Sequence, residues 1–234
     1  MSEATLEAEV RSALDTVLDP ELDRSLIDLG FARATIDDRS RVTVELRLPT
    51  YWCAPNFAYL MAHDARTAVS RVPGVRAVMV RLVDHFAAQE ITEGLAGGEA
   101  FDEVFSGFSD GTGLEQLRRL FHVKAFVASQ GAVLRRLLRE GRTPVEVCEM
   151  RLGALDRDSP ETLTYLAKRE RLGLPMEPAA FLAVLPSGEH VPPASLETQV
   201  RRARLTGVSL ESNTALCRGL LETRYAGQAV EATG

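Results

Sequence analysis

The stretch VTVELRLPTYWCAPN, residues 42–56, decides how the first part of this chain folds. Apolar and polar residues alternate from Val42 to Leu48, which is typical of a β-strand with one buried face. Pro55 suits the first turn of a helix, because the N–H group that it lacks would have no partner there. Cys53 is therefore expected in a strand-to-helix turn, where free N–H groups and the positive end of the helix dipole stabilise a thiolate for nucleophilic or metal chemistry.

The patterns on either side of this stretch predict a small domain. Its five elements have the order α-β-β-α-β: a helix over residues 3–18, strands over 31–37 and 42–48, a helix from Pro55 that Pro73-Gly74 closes, and a strand over 75–83. The last strand is apolar on both sides, so we expect helices to cover one face and the extension or a second subunit to cover the other. The order predicts a two-layer α+β domain over residues 1–85.

Residues 86–234 are predicted to form a mainly helical extension. Apolar spacing and glycine breaks indicate a small hairpin over 181–190 and helices over 86–98, 99–108, 114–141, 160–172, 194–205 and 210–225. The 114–141 segment is either one long helix or a helix pair broken near Gly131. The fold class expected for the whole chain is α+β, a small two-layer domain followed by helices.

Composition narrows the classes of function. The 234 residues carry 27 basic and 33 acidic side chains, a net charge of −6 that argues against a nucleic-acid binder. No apolar run approaches the roughly 20 residues that cross a bilayer, and the N-terminus does not have the pattern of a secretory signal, so a cytoplasmic protein is expected. The sequence contains no hydrolase, metalloprotease or nucleotide-binding motif, which favours a role other than catalysis.

The three cysteines are too far apart in sequence for a disulfide framework or a C-x-x-C metal site. Cys53 is the candidate functional thiol, although free cysteines are often small core residues. Cys148 and Cys217 are expected to be inert, and Cys217 shares a helical stripe with Leu221 and Tyr225 that indicates a core position.

Three further residues are candidate metal ligands. Asp19 and Glu21 are carboxylates that would bind a metal or tune the thiol, while an Asp-Pro turn accounts for them equally well. His85 offers an imidazole beside carboxylates, a combination that suits iron or zinc. The simpler interpretation of His85 is a strand-end histidine that caps a hydrogen-bond network.

Arginines are numerous for an acidic chain. They cluster at Arg118, Arg119, Arg135 and Arg136, and again over 201–204. A solvated helical face is the simpler interpretation, and a docking surface for an acidic partner is the alternative.

Several motifs of the first 85 residues resemble those of the MIP18 family, also called the DUF59 domain. They are Asp19-Pro20-Glu21-Leu22, Ser25-Leu26-Ile27-Asp28-Leu29-Gly30, the Thr50-x-x-Cys53 loop and Pro73-Gly74-Val75, within a resemblance over about residues 4–84. The family comprises metal–sulfur cluster assembly factors, which implies assembly or delivery rather than substrate turnover. Its cysteine role falls on Cys53, but the family loop has Cys-Pro, whereas Ala54 separates Cys53 from Pro55 here.

The extension is similar to that of proteins encoded beside actinobacterial soluble di-iron monooxygenases. The similar segments are 84–88, Asp-His-Phe-Ala-Ala, and 217–221, Cys-Arg-Gly-Leu-Leu. This resemblance implies that the client is a di-iron monooxygenase subunit and that the extension recognises it.

Three hypotheses follow. The leading one is a factor that binds iron or an Fe–S cluster transiently through Cys53 and passes it to a client apo-metalloenzyme; since one cysteine gives too few ligands, a homodimer is expected. The second is a metal-free adaptor that holds the client through the extension. The third is an enzyme with Cys53 as nucleophile and His63 or His85 as base, although the sequence places no histidine beside the cysteine.

Overall fold

The computed structural model describes residues 3–106 and 114–226. The helices are α1 Glu3–Asp15, α2 Pro55–Ser70, α3 Ala88–Gly97, α4 Phe101–Val104, α5 Glu115–Arg139, α6 Pro144–Glu149, α7 Pro160–Arg171 and α8 Pro193–Tyr225, with a 3-10 turn at Leu152–Ala154. The strands are β1 Leu18–Asp19, β2 Arg24–Ser25, β3 Ala32–Ile36, β4 Arg41–Arg47 and β5 Ala77–Val83. The chain divides into two compact units, the first being Met1–Gln116 with Ser212–Gly234 and the second Leu117–Glu211. Within the described ranges, no helix is long and apolar enough to cross a membrane.

The first unit contains a three-stranded sheet with the order β3-β4-β5. β3 and β4 form an antiparallel hairpin, in which Asp37 accepts hydrogen bonds from the N–H groups of Arg39 and Arg41 at the turn. β4 and β5 are parallel, so the chain crosses over through α2 between them. The predicted order α-β-β-α-β and the α+β class are confirmed, and the predicted helix over 3–18 ends earlier, at Asp15.

One face of this sheet is buried and the other is open. Val42, Val44, Leu46, Val80 and Leu82 are at most 4% exposed and belong to the core that α1 and α2 cover. The described part of the extension does not cover the other face of the last strand, because Met79 is 51% exposed and Ala77 and Arg81 are exposed beside it, and cover by a second subunit stays a prediction. The charge of Arg81 keeps this face in water, and isolated exposed apolar residues are ordinary there.

The first unit continues beyond residue 85. Ala87, Ile91 and Leu95 of the α3 region are at most 3% exposed and lie in the same core as the sheet. Thr92 on α3 accepts a hydrogen bond from the backbone N–H of Leu82 on β5, at 3.3 Å. Whether residues 1–85 fold on their own stays a prediction, but these contacts mean that such a fragment would expose core surface.

α8 corrects the prediction for the end of the chain. Helices expected over 194–205 and 210–225 are one continuous helix, in which Gly207 lies with no atom near its missing Cβ. A glycine in an exposed helix interior costs only about 1 kcal/mol, so neighbouring turns carry the helix through it. The segment from Ser212 packs on the first unit, where Arg218 forms an ion pair with Asp28 at 2.5 Å.

The second unit is built on helices. α5 runs without a break through Gly131, where a Cβ atom would lie 2.2 Å from that of Ala203, so the glycine permits close helix contact. α6, which the sequence analysis missed, begins at Thr143 with a capping box to Glu146. The predicted hairpin over 181–190 is present as a tight turn with a single bridge between Val184 and His190.

Candidate functional site

Cys53 lies in the loop that leads from β4 into α2. Ala54 is the N-cap residue of α2, and Pro55 occupies its first turn, so Cys53 lies immediately before the helix begins, as predicted. Its side chain is half-buried, and its Sγ lies 3.3 Å from the hydroxyl of Thr50. The thiol is therefore accessible from solvent and close to a polar group.

His85 fixes the backbone of the cysteine loop. Its Nε2 donates to the carbonyl oxygen of Cys53 at 2.7 Å, and its Nδ1 accepts from the N–H of Ala87 at 3.1 Å. Burial lowers the pKa of His85, so the ring is held neutral. Because backbone groups occupy both ring nitrogens, His85 positions Cys53 and has no free nitrogen for a metal or for a proton of the thiol.

The second predicted ligand, Asp19, is a buried carboxylate. It is 7% exposed, and its Oδ1 accepts from the N–H groups of Glu21 and Leu22, both at 2.8 Å. Burial raises the pKa of Asp19, these hydrogen bonds lower it and the charge of Glu21 raises it, and the pKa that results is about 6. Within the described chain, Oδ2 of Asp19 has no hydrogen-bond partner. Glu21 is only partly buried beside it.

The sequence predicts an inert core position for Cys217 on α8, and its packing against the hydrophobic core of the first unit agrees with that prediction. It is half-buried, and it packs against the same core as Cys53. Burial, together with the charges of Asp19, Cys53 and Glu21, raises the pKa of Cys217 to about 11. The thiol of Cys217 is therefore protonated at neutral pH, as expected of an inert residue.

The residues around Cys53 do not form a complete metal site. Among the described residues, no three His, Cys, Asp or Glu side chains are arranged to hold a metal ion. Cys148 is fully buried in the second unit, and burial raises its pKa. His63 is exposed on α2 and contacts Asp64 at 3.2 Å.

Three aromatic side chains lie beside the cysteine loop. Tyr51, Trp52 and Phe86 are exposed, Trp52 by 74%, and their rings contact one another edge-on or tilted, at centroid distances of 4.9 to 6.3 Å. The N–H of Phe86 also donates to the carbonyl of Tyr51 at 3.2 Å, which joins the two loops. Clusters of exposed aromatic rings are common on surfaces that contact another molecule.

The end of α8 holds the loop after β5. Arg224 donates to the carbonyl oxygens of Leu48, at 3.0 Å, and of Asp84. Tyr225 donates from its hydroxyl to the Asp84 carboxylate at 3.0 Å. Asp84 has a φ of 51°, a left-handed conformation that non-glycine residues rarely adopt, so these bonds stabilise an unusual turn.

The predicted arginine surface is partly neutralised. Arg136 contacts Glu140 at 3.1 Å and Glu161 at 3.2 Å, and it bonds Thr162 on α7. Arg135 is partly buried, and Arg118 and Arg119 lie in the first turns of α5. Arg136 therefore stabilises the second unit, and docking through the cluster stays a prediction.

The fold and the loop define the class of this protein: a small α+β domain that presents one cysteine between a strand and a helix, followed by helices of its own. Residues 7–81 match the family model described as iron-sulfur cluster assembly protein. An uncharacterized protein of Methanocaldococcus jannaschii is 34% identical over 86 residues, which cover 36% of this chain and 88% of that protein. The chain belongs to the iron–sulfur cluster assembly protein family. No solved structure matches it.

Proposed function

We propose that this protein binds iron or an iron–sulfur cluster transiently through Cys53 and delivers it to an apo-metalloenzyme. The observation that carries the proposal is the half-buried thiol of Cys53, held at the start of α2 by the His85 hydrogen bond, inside the region that matches the family. Thiolate is the ligand that iron–sulfur clusters prefer.

An incomplete ligand set supports transient binding. The described part of the chain presents no ready cage of three ligands, so the remaining donors come from the client, a second copy of the chain or a small thiol. When the client supplies the missing ligands, the metal is already bound to the client and can leave Cys53. A homodimer, in which two cysteine loops face one cluster, is the corresponding proposal for the loaded protein.

The client is proposed to contact the aromatic side chains beside Cys53. Tyr51, Trp52 and Phe86 provide apolar area next to the thiol, and a client that covers them would exclude water from the transfer site. The identification of this client as a di-iron monooxygenase subunit rests on residues 84–88 and 217–221, which lie on the two elements joined by Arg224.

Anaerobic reconstitution with iron and sulfide tests the proposal. Wild type and Cys148→Ala are expected to take up iron and to transfer it to an apo-ferredoxin acceptor, whereas Cys53→Ala is expected to lose both properties while keeping its thermal melt. Cys148→Ala is the matched control because that thiol is buried in the second unit. Equal iron uptake by Cys53→Ala would remove Cys53 from the mechanism and favour the metal-free adaptor.

A further inference from the structure

Two strands of the first unit end side by side, and the last turn of α8 binds the chain just beyond both ends. Since β4 and β5 are parallel, their carboxyl ends lie at the same edge of the sheet. We propose that Arg224 and Tyr225, at the end of α8, are positioning residues that hold the Cys53 thiol in place by joining the two loops that leave this edge. The inference rests on the proposed function, because the thiol that is positioned is the one proposed to bind iron.

Arg224 joins the two loops at their base. Its Nη1 donates to the carbonyl oxygen of Leu48 at 3.0 Å, and its Nη2 donates to that of Asp84. Arg47 and Val83 form the last pair of the β4–β5 ladder, so Arg224 binds the first residue after each strand. A guanidinium presents its N–H donors in a rigid planar fork, so one side chain holds two acceptors in a fixed arrangement. Arg224 therefore fixes where the two loops begin relative to each other.

The two loops also contact each other nearer to the thiol. The N–H of Phe86 donates to the carbonyl of Tyr51 at 3.2 Å, and Nε2 of His85 donates to the carbonyl of Cys53 at 2.7 Å. The backbone on either side of Trp52 is thus bound by the loop after β5. The position of the thiol therefore depends on how firmly that second loop is held.

Asp84 is the residue of the second loop that most needs support. Its φ of 51° is a left-handed conformation, which costs free energy for any residue with a Cβ atom. Tyr225 donates from its hydroxyl to the Asp84 carboxylate at 3.0 Å, and the guanidinium of Arg47 lies 5.1 Å from the centroid of the Tyr225 ring. α8 thus binds both the carbonyl and the side chain of Asp84, which holds the turn from which His85 and Phe86 reach the Cys53 loop.

The positioning residues belong to the extension. The family match covers residues 7–81, which include Cys53 but neither Arg224 nor Tyr225. The family domain supplies the thiol, and the extension supplies the side chains that hold its loop. Loss of these two side chains is therefore expected to change the Cys53 site even though every residue of the family match is retained.

Alkylation of the metal-free, full-length protein with iodoacetamide tests the inference, with peptide mass spectrometry to resolve the three cysteines. Arg224→Met is expected to speed alkylation of Cys53 about fivefold, since the loops lose two hydrogen bonds at their base. Tyr225→Phe, which keeps the aromatic ring, is expected to speed it about twofold. Arg218→Met, which removes the ion pair of the same helix with Asp28, is the matched control and is expected to leave the Cys53 rate unchanged.

Trp52 gives a second measurement, which a loss of global stability alone would not change. It is the single tryptophan of the chain and the neighbour of Cys53, so its fluorescence reports on this loop. At a temperature well below the melt of each variant, the fluorescence anisotropy of Trp52 is expected to fall in Arg224→Met, because the loop moves more freely. It is expected to keep the wild-type value in Arg218→Met.

The milder variant keeps the test decisive if Arg224→Met does not fold, because Tyr225→Phe removes one hydroxyl group only. Unchanged Cys53 alkylation and Trp52 anisotropy in the folded variants would overturn the inference. An equal rise in alkylation at Cys53 and Cys217 would also overturn it, since that result would mean that α8 detaches as a whole. The labelling needs no iron, so its failure would leave iron uptake through Cys53, and with it the proposed function, standing.

Discussion

Each of the two units buries an ionisable side chain, and the two side chains differ in how completely they are hydrogen-bonded. In the second unit, Arg169 is 1% exposed and donates to the carbonyls of Pro175 and Phe181 and to the hydroxyl of Tyr165, at 2.6 to 2.9 Å. In the first unit, Asp19 is 7% exposed, but only its Oδ1 accepts hydrogen bonds within the described chain.

The two buried groups differ in how far hydrogen bonds compensate their burial. Arg169 joins α7 to the segment around Phe181, and Gln130 of α5 donates to the carbonyls of Leu182 and Val184 in the same network. Fully bonded buried groups of this kind specify a fold. Asp19 has a raised pKa because it is buried, so its ionised form lowers stability and the two hydrogen bonds offset this cost only in part.

The largest effect is expected from breaking the complete network. Arg169→Met would leave the carbonyls of Pro175 and Phe181 and the buried Tyr165 hydroxyl without their donor, so we expect the second unit to lose on the order of 3–5 kcal/mol of unfolding free energy. Urea denaturation measures this loss. Arg171→Met, at an exposed position of the same helix, is the matched control and is expected to cost less than about 0.5 kcal/mol. Equal effects of the two substitutions would contradict a structural role for Arg169.

Replacing Asp19 is expected to raise stability, whereas replacing Arg169 is expected to lower it. Because the pKa of Asp19 is raised from 3.8 to about 6 in the folded state, folding binds a proton that the unfolded chain releases near pH 4. The stability that this carboxyl contributes is thus present below about pH 4 and is lost as pH rises to about 6. Asp19→Asn keeps an oxygen acceptor and removes the charge, so it is expected to raise stability at pH 7.5 by up to about 3 kcal/mol.

Denaturation of both proteins from pH 4 to pH 7.5 measures that gain, which is expected to shrink toward the acid end. Asp158→Asn, at an exposed position, is the control and is expected to show no such pH dependence. A destabilised Asp19→Asn at pH 7.5 would mean that Asp19 is as fully compensated as Arg169, and the contrast between the units would fail.

His85 gives a second comparison within the first unit, because it is buried like Asp19 but both of its ring nitrogens are hydrogen-bonded. His85→Ala is expected to cost about 1–2 kcal/mol by releasing the Cys53 carbonyl and the Ala87 N–H. The pKa of His85 is lowered by burial, so its stabilising contribution is present above about pH 6.5 and is lost as pH falls.

Thermal melts and the rate of Cys53 alkylation, measured in parallel, test this role. Faster alkylation of Cys53 is expected in His85→Ala because its loop loses a tether. His63→Ala, at an exposed position on α2, should leave both the melt and the rate unchanged. Unaltered alkylation in His85→Ala would mean that the histidine does not position the thiol.

The smallest effect on stability is expected at the exposed arginines. Arg136 is held by two carboxylates, so its reversal would damage the second unit, whereas Arg202 and Arg204 are exposed on α8. Arg202→Glu with Arg204→Glu is expected to change stability by less than about 0.5 kcal/mol and to weaken client pull-down, more so at low salt. If client binding changes neither with the charge reversal nor with ionic strength, these arginines belong to a solvated face.

Local sequence determined the elements of the first unit. The alternation over Val42–Leu48, the proline at the start of α2 and the Pro73-Gly74 break depend on neighbouring residues, so they predicted the strands, the helix and the position of Cys53 between them. The motifs around these elements also indicated the family that residues 7–81 match.

Tertiary structure decided what surrounds the thiol. Three outcomes depended on which distant surface packs against a residue. They are the continuous helix at Gly207, the exposure of Met79 and the position of Cys217. Hydrophobic patterning says that a residue is buried but not what lies beside it. The sequence by itself therefore determined where Cys53 lies along the chain, whereas only the packing of α8 on the first unit decided which core Cys217 joins, because contact between residues so far apart depends on the packing of whole elements.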